Sequence, residues 1–443
     1  MPHPIRPPSP DRPGSTVTGR DAVRRRLEGV WRLEAARIIA RVARVVRDVG
    51  LAEECAQDAL VAALEQWPRD GLPDNPAAWL LTTAKRRAVD QIRHRRMASD
   101  KAEAIGYEWD FQHASRSDAL VEQVDLALDD EIGDDLLRLI FTACHPVLSA
   151  DARCALTLRV MGGLTTDEIA RAYLRSEATI AQRIVRAKRS LAAARVPFEV
   201  PRGAELGERL SSVLEVIYLI FNEGYAATSG EDWMRPALSA EALRLGRVLA
   251  ALMPAAGEVQ GLVALMEIQA SRFAARVDSA GRPVLLMDQD RSRWDPLLIQ
   301  RGLEALARAD EAPGPIGPYA LQAAIAACHA KARRADDTDW HAIATLYDVL
   351  SQVAPSPVVT LNQAVAVGMA YGAAAGLEVV EPLRHEPTLA DYHLLPSVRG
   401  DLLARLARHD EARSEFERAA SMTRNASERA MLLERAAGCR PPQ

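Results

Sequence analysis

The residues of this sequence that could do chemistry, by their type and spacing, are basic and polar side chains in two short stretches. In the first stretch, one aromatic residue accompanies arginines and lysines at three- and four-residue steps. Such a helix surface can neutralise phosphates and stack unpaired bases. The stretch is equally compatible with a solvated basic helix whose tryptophan packs in a core. Its candidate residues are Trp79, Thr83, Lys85, Arg86, Arg87, Asp90, Arg93 and Arg96.

The second stretch indicates a helix-turn-helix. Thr165 and Glu168 have capping-box spacing and open a short helix, and after a tight turn a second, basic helix begins. An ordinary helical hairpin is the alternative. The residues expected to pack inward are Ile180, Ile184 and Ala187. The residues expected to cap the helix or face a DNA groove and its phosphates are Ser176, Thr179, Gln182, Arg183, Arg186 and Lys188.

No residue constellation typical of an enzyme occurs in the sequence. There is no P-loop, no dinucleotide-binding glycine motif, no H-E-x-x-H and no G-x-S-x-G. Cys144 and His145 are adjacent, and we expect them at a helix end before Pro146. The histidines do not cluster at metal-ligand spacing. The sequence therefore predicts a protein that is not an enzyme and needs no metal or cofactor.

Composition predicts an all-α protein of several domains. The chain has 443 residues, of which 48% are apolar and few are aromatic. The formal net charge is −5, but the charges are strongly segregated along the chain. Five cysteines without a C-x-x-C pair favour a reducing compartment. With no signal-peptide core and no apolar run of about 20 residues, a cytoplasmic protein without membrane contact is expected.

Three predicted helices hold the first basic stretch. Apolar residues recur over Val30–Val49, and Gly50 is expected to end that helix. The second helix should span Leu51–Trp67 before Pro68 breaks it, and the third should span Asn75–Met97 with Asn75 as its N-cap. The apolar stripe of the second helix is Leu51, Cys55, Leu60, Leu64 and Trp67. The stripe of the third is Leu80, Ala84, Ala88 and Ile92.

Charge and proline placement predict the domain limits. They are a flexible tail at 1–27, a first helical domain at 28–98, an acidic linker at 99–133, a helix-turn-helix domain at 134–196 and a helical domain at 197–440. In the last domain, residues 358–380 and 394–419 resemble each other as degenerate tetratricopeptide-like repeats. Stacked helix pairs form a concave surface, so a protein or peptide partner is expected there.

The two basic stretches, in this order, resemble the extracytoplasmic-function (ECF) sigma factors of the sigma-70 family. Leu51–Leu64 looks like their region 2.2, Trp79–Arg96 like regions 2.3 and 2.4, and Leu156–Leu191 like region 4. The resemblance implies a region 2 helical bundle, a region 4 helix-turn-helix, and core RNA polymerase and promoter DNA as partners. The first stretch would read the −10 element and the second the −35 element. The residues that the resemblance assigns to the polymerase are Gln57, Asp58, Leu60 and Leu64.

The rest of the chain resembles one subgroup of this family. Asp134–Pro146 and Glu177–Lys188 look like the subgroup with a long C-terminal tetratricopeptide-like extension. The resemblance gives the acidic linker two alternative roles, an RNA mimic in the polymerase channels or a soluble spacer. The extension is expected to regulate or support the promoter-reading half.

Two polar-aromatic clusters in the C-terminal half, Ile220–Tyr225 and Asp288–Asp295, could line a regulatory site. A structural role is the alternative for the second cluster, because Asp295 precedes a proline as a good helix start and Arg291 and Arg293 could pair with its acids.

Two other functions compete with the sigma interpretation. A helix-turn-helix regulator with a tetratricopeptide-like sensor domain would bind DNA without melting it, and a pure interaction scaffold would not bind DNA. A plain regulator has no need for the basic helix at Trp79–Arg96 or for a polymerase-docking helix before it. The basic faces argue against a scaffold.

Overall fold

The computed structural model describes residues 19–103, 132–173, 175–226, 233–279 and 281–439. For residues 19–22, 95–103 and 132–134 it describes the backbone alone. Within these ranges the chain forms helices and one isolated antiparallel bridge between Val277 and Pro283, and it forms no strand. The predicted all-α fold is therefore confirmed. None of the described helices is long and apolar enough to cross a membrane.

Three mutually packed helices form the first predicted domain. They are α1 (Gly19–Val46), α2 (Val49–Asp70) and α3 (Pro76–Glu103). Helix α1 begins inside the stretch predicted as a flexible tail, and Leu27 is buried. The tail prediction is therefore wrong for residues 19–27, while residues 1–18 lie outside the described ranges.

Gly50 does not end the first helix. The break falls at Arg47, whose φ is 54°, and at Asp48, whose carboxylate caps α2 by accepting from the Leu51 N–H at 3.0 Å. Gly50 instead lies in the first turn of α2, where a Cβ would come within 3.4 Å of the Lys188 side chain. Close packing therefore favours glycine there, and the helix stop comes from the residues before it.

The loop between α2 and α3 begins later than predicted. Helix α2 continues through Pro68 to Asp70 and ends at Gly71, whose φ of 88° suits glycine. Asn75 is the predicted N-cap of α3, since its Oδ1 accepts from the Ala78 N–H at 3.1 Å. The residues of the α3 stripe that are fully buried are Leu80, Ala84 and Ala88.

Four helices form the predicted helix-turn-helix region. They are α4 (Ile132–Ala143), α5 (Ala150–Val160), α6 (Thr166–Ala172) and α7 (Glu177–Ala193). The capping box is confirmed: Thr165 Oγ1 accepts from Glu168 N at 3.1 Å, and the Glu168 carboxylate accepts from Thr165 N at 2.8 Å. Ser176 Oγ caps α7 by accepting from Thr179 N at 3.2 Å. The residues of α7 predicted to pack inward are all buried: Ile180, Ile184 and Ala187.

The chain divides into two compact units that cut across the predicted domain limits. The first comprises residues 1–143, 157–164 and 188–200, and the second comprises 144–156, 165–187 and 201–443. The division passes through α5 and α7, since Arg159 and Lys188 both bind Glu53 of α2. Most of the linker predicted at 99–133 lies outside the described residues.

Most of the second unit is the predicted helical repeat domain. Its helices are α8 (Ala204–Tyr225), α9 (Pro236–Leu252), α10 (Gly257–Ala270), α11 (Pro296–Glu311), α12 (Pro318–Lys331), α13 (Trp340–Val353), α14 (Pro357–Ala370), α15 (Ala373–Val380), α16 (Leu394–Arg405), α17 (His409–Met422) and α18 (Ala426–Gly438). The two repeat-like stretches form packed helix pairs as predicted, α14 with α15 and α16 with α17.

Candidate nucleic-acid interface

The residues singled out on α3 lie along one open side of that helix. The exposed ones are Arg86, Arg87, Asp90 and Arg93, and the half-buried ones are Thr83 and Lys85. Arg93 and Asp90 form a loose surface pair at 3.8 Å. Among the described residues neither Arg86 nor Arg87 has an ion-pair partner, so both can meet phosphates. Arg96 lies in α3, but its side chain is outside the description.

Trp79 is partly packed in a core and partly open for a base, so each of the two alternatives that the sequence leaves open applies in part. It is half-buried, and its ring meets the ring of Trp67 edge-on, with centroids 5.4 Å apart and planes at 70°. Trp67, in the last turns of α2, is buried. Part of the Trp79 ring therefore packs on the core of the first unit, and the remaining surface can contact a base.

Helix α2 presents an exposed apolar strip beside a carboxylate. Leu64 is 43% exposed and Val61 52% exposed, Asp58 is exposed, and Gln57 and Leu60 are half-buried. The predicted single stripe on α2 is therefore wrong for Leu64. Leu60 is only half-buried, whereas Leu51, Cys55 and Trp67 are buried as predicted. Exposed apolar side chains on one helix face are typical of a protein-binding surface. Sequence reasoning missed Val61, which continues that surface.

The outer face of α7 carries most of the second candidate set. The exposed members are Ser176, Thr179, Gln182 and Arg186. The hydroxyls of Ser176 and Thr179 are hydrogen-bonded to each other at 2.7 Å. Two further exposed residues on this helix, Val185 and Arg189, were not predicted. A polar and basic face on the second helix of a helix-turn-helix can enter a major groove.

Arg183 is half-buried and forms an ion pair with Asp151 at 3.0 Å. The side chain of Asp151 is 69% exposed, so solvent screens this pair and the arginine can exchange its partner for a phosphate. Asp151 therefore competes with DNA phosphates for Arg183.

Lys188 lies away from the exposed face of α7. Its ammonium binds the carboxylate of Glu53 on α2, and Arg159 Nε donates to the other oxygen of that carboxylate at 2.8 Å. Glu53 is 4% exposed, so the first unit holds a buried acid between two cations. A DNA-binding role for Lys188 stays a prediction, and it requires this contact to break. Sequence reasoning missed Glu53 and Arg159; two adjacent carboxylates within the otherwise small and apolar run Val49–Ala56 were the available signal.

Cys144 and His145 lie at a helix end, as predicted. Helix α4 ends at Ala143, and Cys144 is buried. Burial lowers the pKa of His145, and its Nδ1 accepts from the Val147 N–H at 3.1 Å. The local hydrogen bond gives this histidine a structural role. Within the described ranges, no group of three or more His, Cys, Asp or Glu residues is placed to hold a metal ion.

The two polar-aromatic clusters meet inside the second unit. Arg272 donates to Tyr225 Oη of the first cluster and lies 5.7 Å from the ring centroid of Trp294 in the second. Arg291 does not pair with the acids beside it: its Nη1 donates to the carbonyls of His329 at 2.6 Å and Ala332 at 2.8 Å. The expected pairing with local acids is therefore wrong for Arg291, because the end of α12 offers it better acceptors.

Known protein families match three parts of the chain. Residues 31–97 match Sigma-70 region 2, and residues 138–191 match Sigma-70, region 4. Residues 209–310 match a family of unknown function, DUF6596. The first two matches contain the exposed faces of α2, α3 and α7. No solved structure matches the chain significantly.

Curated relatives cover different lengths of the chain. An uncharacterised protein of Rhizobium meliloti (strain 1021) is 44% identical over 390 residues, which are 88% of this chain and 90% of that protein. The ECF RNA polymerase sigma factor SigK of Mycobacterium ulcerans (strain Agy99) is 33% identical over 160 residues, 35% of this chain and 78% of SigK. SigK of Mycobacterium tuberculosis (strain ATCC 25618 / H37Rv) is 34% identical over 161 residues, with the same shares.

Proposed function

This chain belongs to the ECF RNA polymerase sigma factors and carries a C-terminal extension, and we propose that it directs core RNA polymerase to specific promoters and opens them there. The observation that carries the proposal is the pair of exposed basic faces on α3 and α7, within the segments that match regions 2 and 4. Core polymerase and promoter DNA are the partners of this role, and the cytoplasm is its expected location. The proposed mechanism is recognition and strand opening, without covalent chemistry.

Helix α3 is proposed to act on the −10 element. Arg86, Arg87 and Arg93 supply exposed charges for the phosphates, and the exposed part of the Trp79 ring supplies a surface on which an unpaired base can stack. Because Trp79 also leans on Trp67, its ring is already positioned before DNA arrives. A fixed ring loses little side-chain entropy on binding, which favours capture of a flipped base.

Helix α7 is proposed to read the −35 element. Thr179, Gln182 and Arg186 project from one exposed face, and amide and guanidinium groups can make paired hydrogen bonds to base edges. Arg183 joins this set when a phosphate replaces Asp151 as its partner. The buried residues Ile180 and Ile184 fix the opposite side of the helix in the core.

The exposed strip of α2 is proposed to dock on core polymerase. Its apolar residues, Val61 and Leu64, would lose exposed surface on binding, and Asp58 would supply charge at the rim. Because each of these side chains is about half exposed in the free chain, covering the remainder contributes about 0.7–1.5 kcal/mol per residue. A surface of this kind has no use in a regulator that binds DNA alone.

The C-terminal extension is proposed to regulate or support promoter reading through its contact with the region 4 segment. Arg153 of α5 is buried; it donates to Ser212 and pairs with Glu215 at 2.9 Å, both on α8. Ser212 Oγ in turn donates to the Cys144 carbonyl at 2.6 Å. A shift of α8 would therefore be felt directly by the helices that precede α7. The occupant of the repeat surface is proposed to be a protein or peptide.

Opening of the DNA strands distinguishes a sigma factor from a helix-turn-helix regulator that binds DNA without melting it. On a template that core polymerase transcribes only with this chain, permanganate should detect unpaired thymines near −10. Arg93→Ala should reduce that signal, and Arg183→Ala should reduce promoter binding at −35. Arg301→Ala, an exposed arginine on α11, is the matched control and should behave like the unaltered chain. DNA binding without polymerase, and no unpaired thymines with it, would favour the regulator instead.

The role of the extension has its own test. Arg153→Gln removes the charge that joins α5 to α8 and should change promoter output at least about threefold while core polymerase binding stays the same. Arg171→Gln on α6 is the control, since its pair with Asp167 is exposed. Unchanged output with Arg153→Gln would count against regulation through this contact.

A further inference from the structure

Three arginines of the second unit lie close together in a largely buried site. Arg272 and Arg276 are 9% and 8% exposed, and Arg291 is half-buried. The Arg276 guanidinium lies 3.7 Å from the ring centroid of Tyr225, and Arg272 contacts the same ring at 5.7 Å. Arg272 and Arg291 share Trp294, at 5.7 Å and 5.0 Å. Aromatic faces therefore link the three cations into one cluster, termed here the arginine cluster.

Among the residues that the structure describes, no carboxylate forms an ion pair with a member of the arginine cluster. Within the described ranges, Arg272, Arg276 and Arg291 make hydrogen bonds only to neutral acceptors, among them the Tyr225 hydroxyl and carbonyl. Asp337 attracts Arg291 electrostatically, but the two side chains form no ion pair. Burial, and then the Arg272 charge, lower the pKa of Arg291, as expected for cations that repel one another.

Helix ends offset part of this charge. Arg276 Nη2 donates to the Tyr225 carbonyl at the end of α8 at 3.0 Å, and Arg291 donates to the end of α12. Each helix C-terminus carries about half a negative elementary charge. Two such ends oppose about one of the three positive charges, so about two remain. A buried net charge of that size is costly unless a counter-ion joins it.

Unused hydrogen-bond donors surround the same cations. Arg272 Nε, Arg291 Nε and the indole N–H groups of Trp233 and Trp294 are buried and have no acceptor among the described residues. Trp233 lies beside Arg276, with its ring centroid 5.5 Å from the guanidinium. Buried donors nearly always have acceptors in folded proteins. Within the described part of the chain, the arginine cluster therefore lacks both hydrogen-bond acceptors and negative charge, and an anion would supply both.

We propose that the arginine cluster binds the phosphoryl group of a small phosphorylated molecule. A phosphoryl group carries about −1.5 to −2 charge at neutral pH and three acceptor oxygens, which suits two uncompensated guanidinium charges. A single carboxylate would leave about one charge unbalanced. Tyr225, Trp233 and Arg291 are half-buried, so the site reaches the surface at these residues. The half-buried indole ring of Trp233 can stack on the organic part of the ligand.

The proposal goes beyond the sigma-factor role and does not depend on it, because it concerns binding by the free chain. It explains why the two polar-aromatic clusters, Ile220–Tyr225 and Asp288–Asp295, converge on Arg272. It also gives a chemical task to the segment 209–310 that matches a family of unknown function.

Calorimetric titration of the full chain at low ionic strength tests the site. The probes are inorganic phosphate and phenyl phosphate, with potassium chloride at equal ionic strength as the salt control. We expect saturable one-to-one binding of phenyl phosphate. Stronger binding of phenyl phosphate than of phosphate would indicate a phosphate ester, and equal binding would indicate free phosphate as the ligand. No saturable binding of either probe would overturn the proposal.

Two variants and one control locate the binding. Arg276→Gln and Arg291→Gln should each weaken the titration at least about tenfold, the value of one lost charge-assisted hydrogen bond. Arg301→Gln, exposed on α11, should stay within about twofold of the unaltered chain. Equal affinity in all three variants would place the anion elsewhere and overturn the assignment.

A second measurement covers variants that fail to fold, as judged by their circular dichroism. In the unaltered chain, phenylglyoxal modification of Arg291 is followed by mass spectrometry with and without phenyl phosphate. Protection of Arg291, with no protection of Arg301, supports the site. Equal modification of Arg291 in both conditions contradicts it.

Discussion

Replacing Glu53 with glutamine should loosen the junction between α2 and the end of α7. Glu53 is 4% exposed and binds Arg159 and Lys188, whose side chains are 18% and 15% exposed. Removing one partner of a buried ion pair costs about 3–5 kcal/mol. Arg159 keeps a hydrogen bond to the Leu164 carbonyl at 3.1 Å, so the lower end of that range applies. A loss of about 3 kcal/mol raises the local opening equilibrium roughly 100-fold.

Hydrogen exchange followed by mass spectrometry measures this opening directly. Peptides from α2 and from the last turns of α7 should exchange roughly 100-fold faster in Glu53→Gln. Glu54→Gln is the matched control, because Glu54 is the next residue and is exposed. Glu53→Gln combined with Lys188→Met should recover part of the protection, since one unpaired buried charge is gone. Exchange in Glu53→Gln within about twofold of the Glu54→Gln control would refute the reasoning.

Three further substitutions test other parts of the account. Asp151→Asn frees Arg183 from a screened ion pair worth about 0.2–1 kcal/mol, so affinity for duplex DNA at low salt should rise up to about fivefold by fluorescence anisotropy; a fall would contradict the competition. Leu64→Glu should weaken core polymerase binding at least about tenfold in a pull-down or titration without loss of helicity, and unchanged binding would remove α2 as the docking surface. Burial lowers the pKa of His329 to about 4, below its value of about 6.5 in the unfolded chain, so the unfolded state binds more protons between these values. The contribution of neutral His329 to the free energy of unfolding should be fully present above about pH 6.5 and should fall by about 3 kcal/mol as the pH drops to about 4. His329→Phe should remove this pH dependence of the free energy of unfolding, measured by denaturant titration.

Features that depend on neighbouring residues could be predicted from the sequence. The Thr165–Glu168 capping box and the Asn75 cap each involve atoms three residues apart, so the local pattern was sufficient. The buried side of α7 followed from helical periodicity for the same reason. The exposed faces of α3 and α7 are the complement of these buried stripes.

Features that depend on distant partners could not be predicted. Lys188 meets Glu53 across 135 positions, and Arg291 meets His329 across 38. No local pattern distinguishes a lysine that pairs with a buried acid from one that faces DNA. At Arg47, a positive φ in a residue other than glycine ended α1 where the apolar pattern pointed to Gly50.

The most direct test of the central claim is to map transcript 5′ ends made in vitro from fragmented genomic DNA of the source organism by purified core polymerase, with and without this chain. We expect discrete new 5′ ends that need the chain and that are lost or strongly reduced when Arg93→Ala and Arg183→Ala are combined. A set of 5′ ends identical to that of core polymerase alone would contradict it.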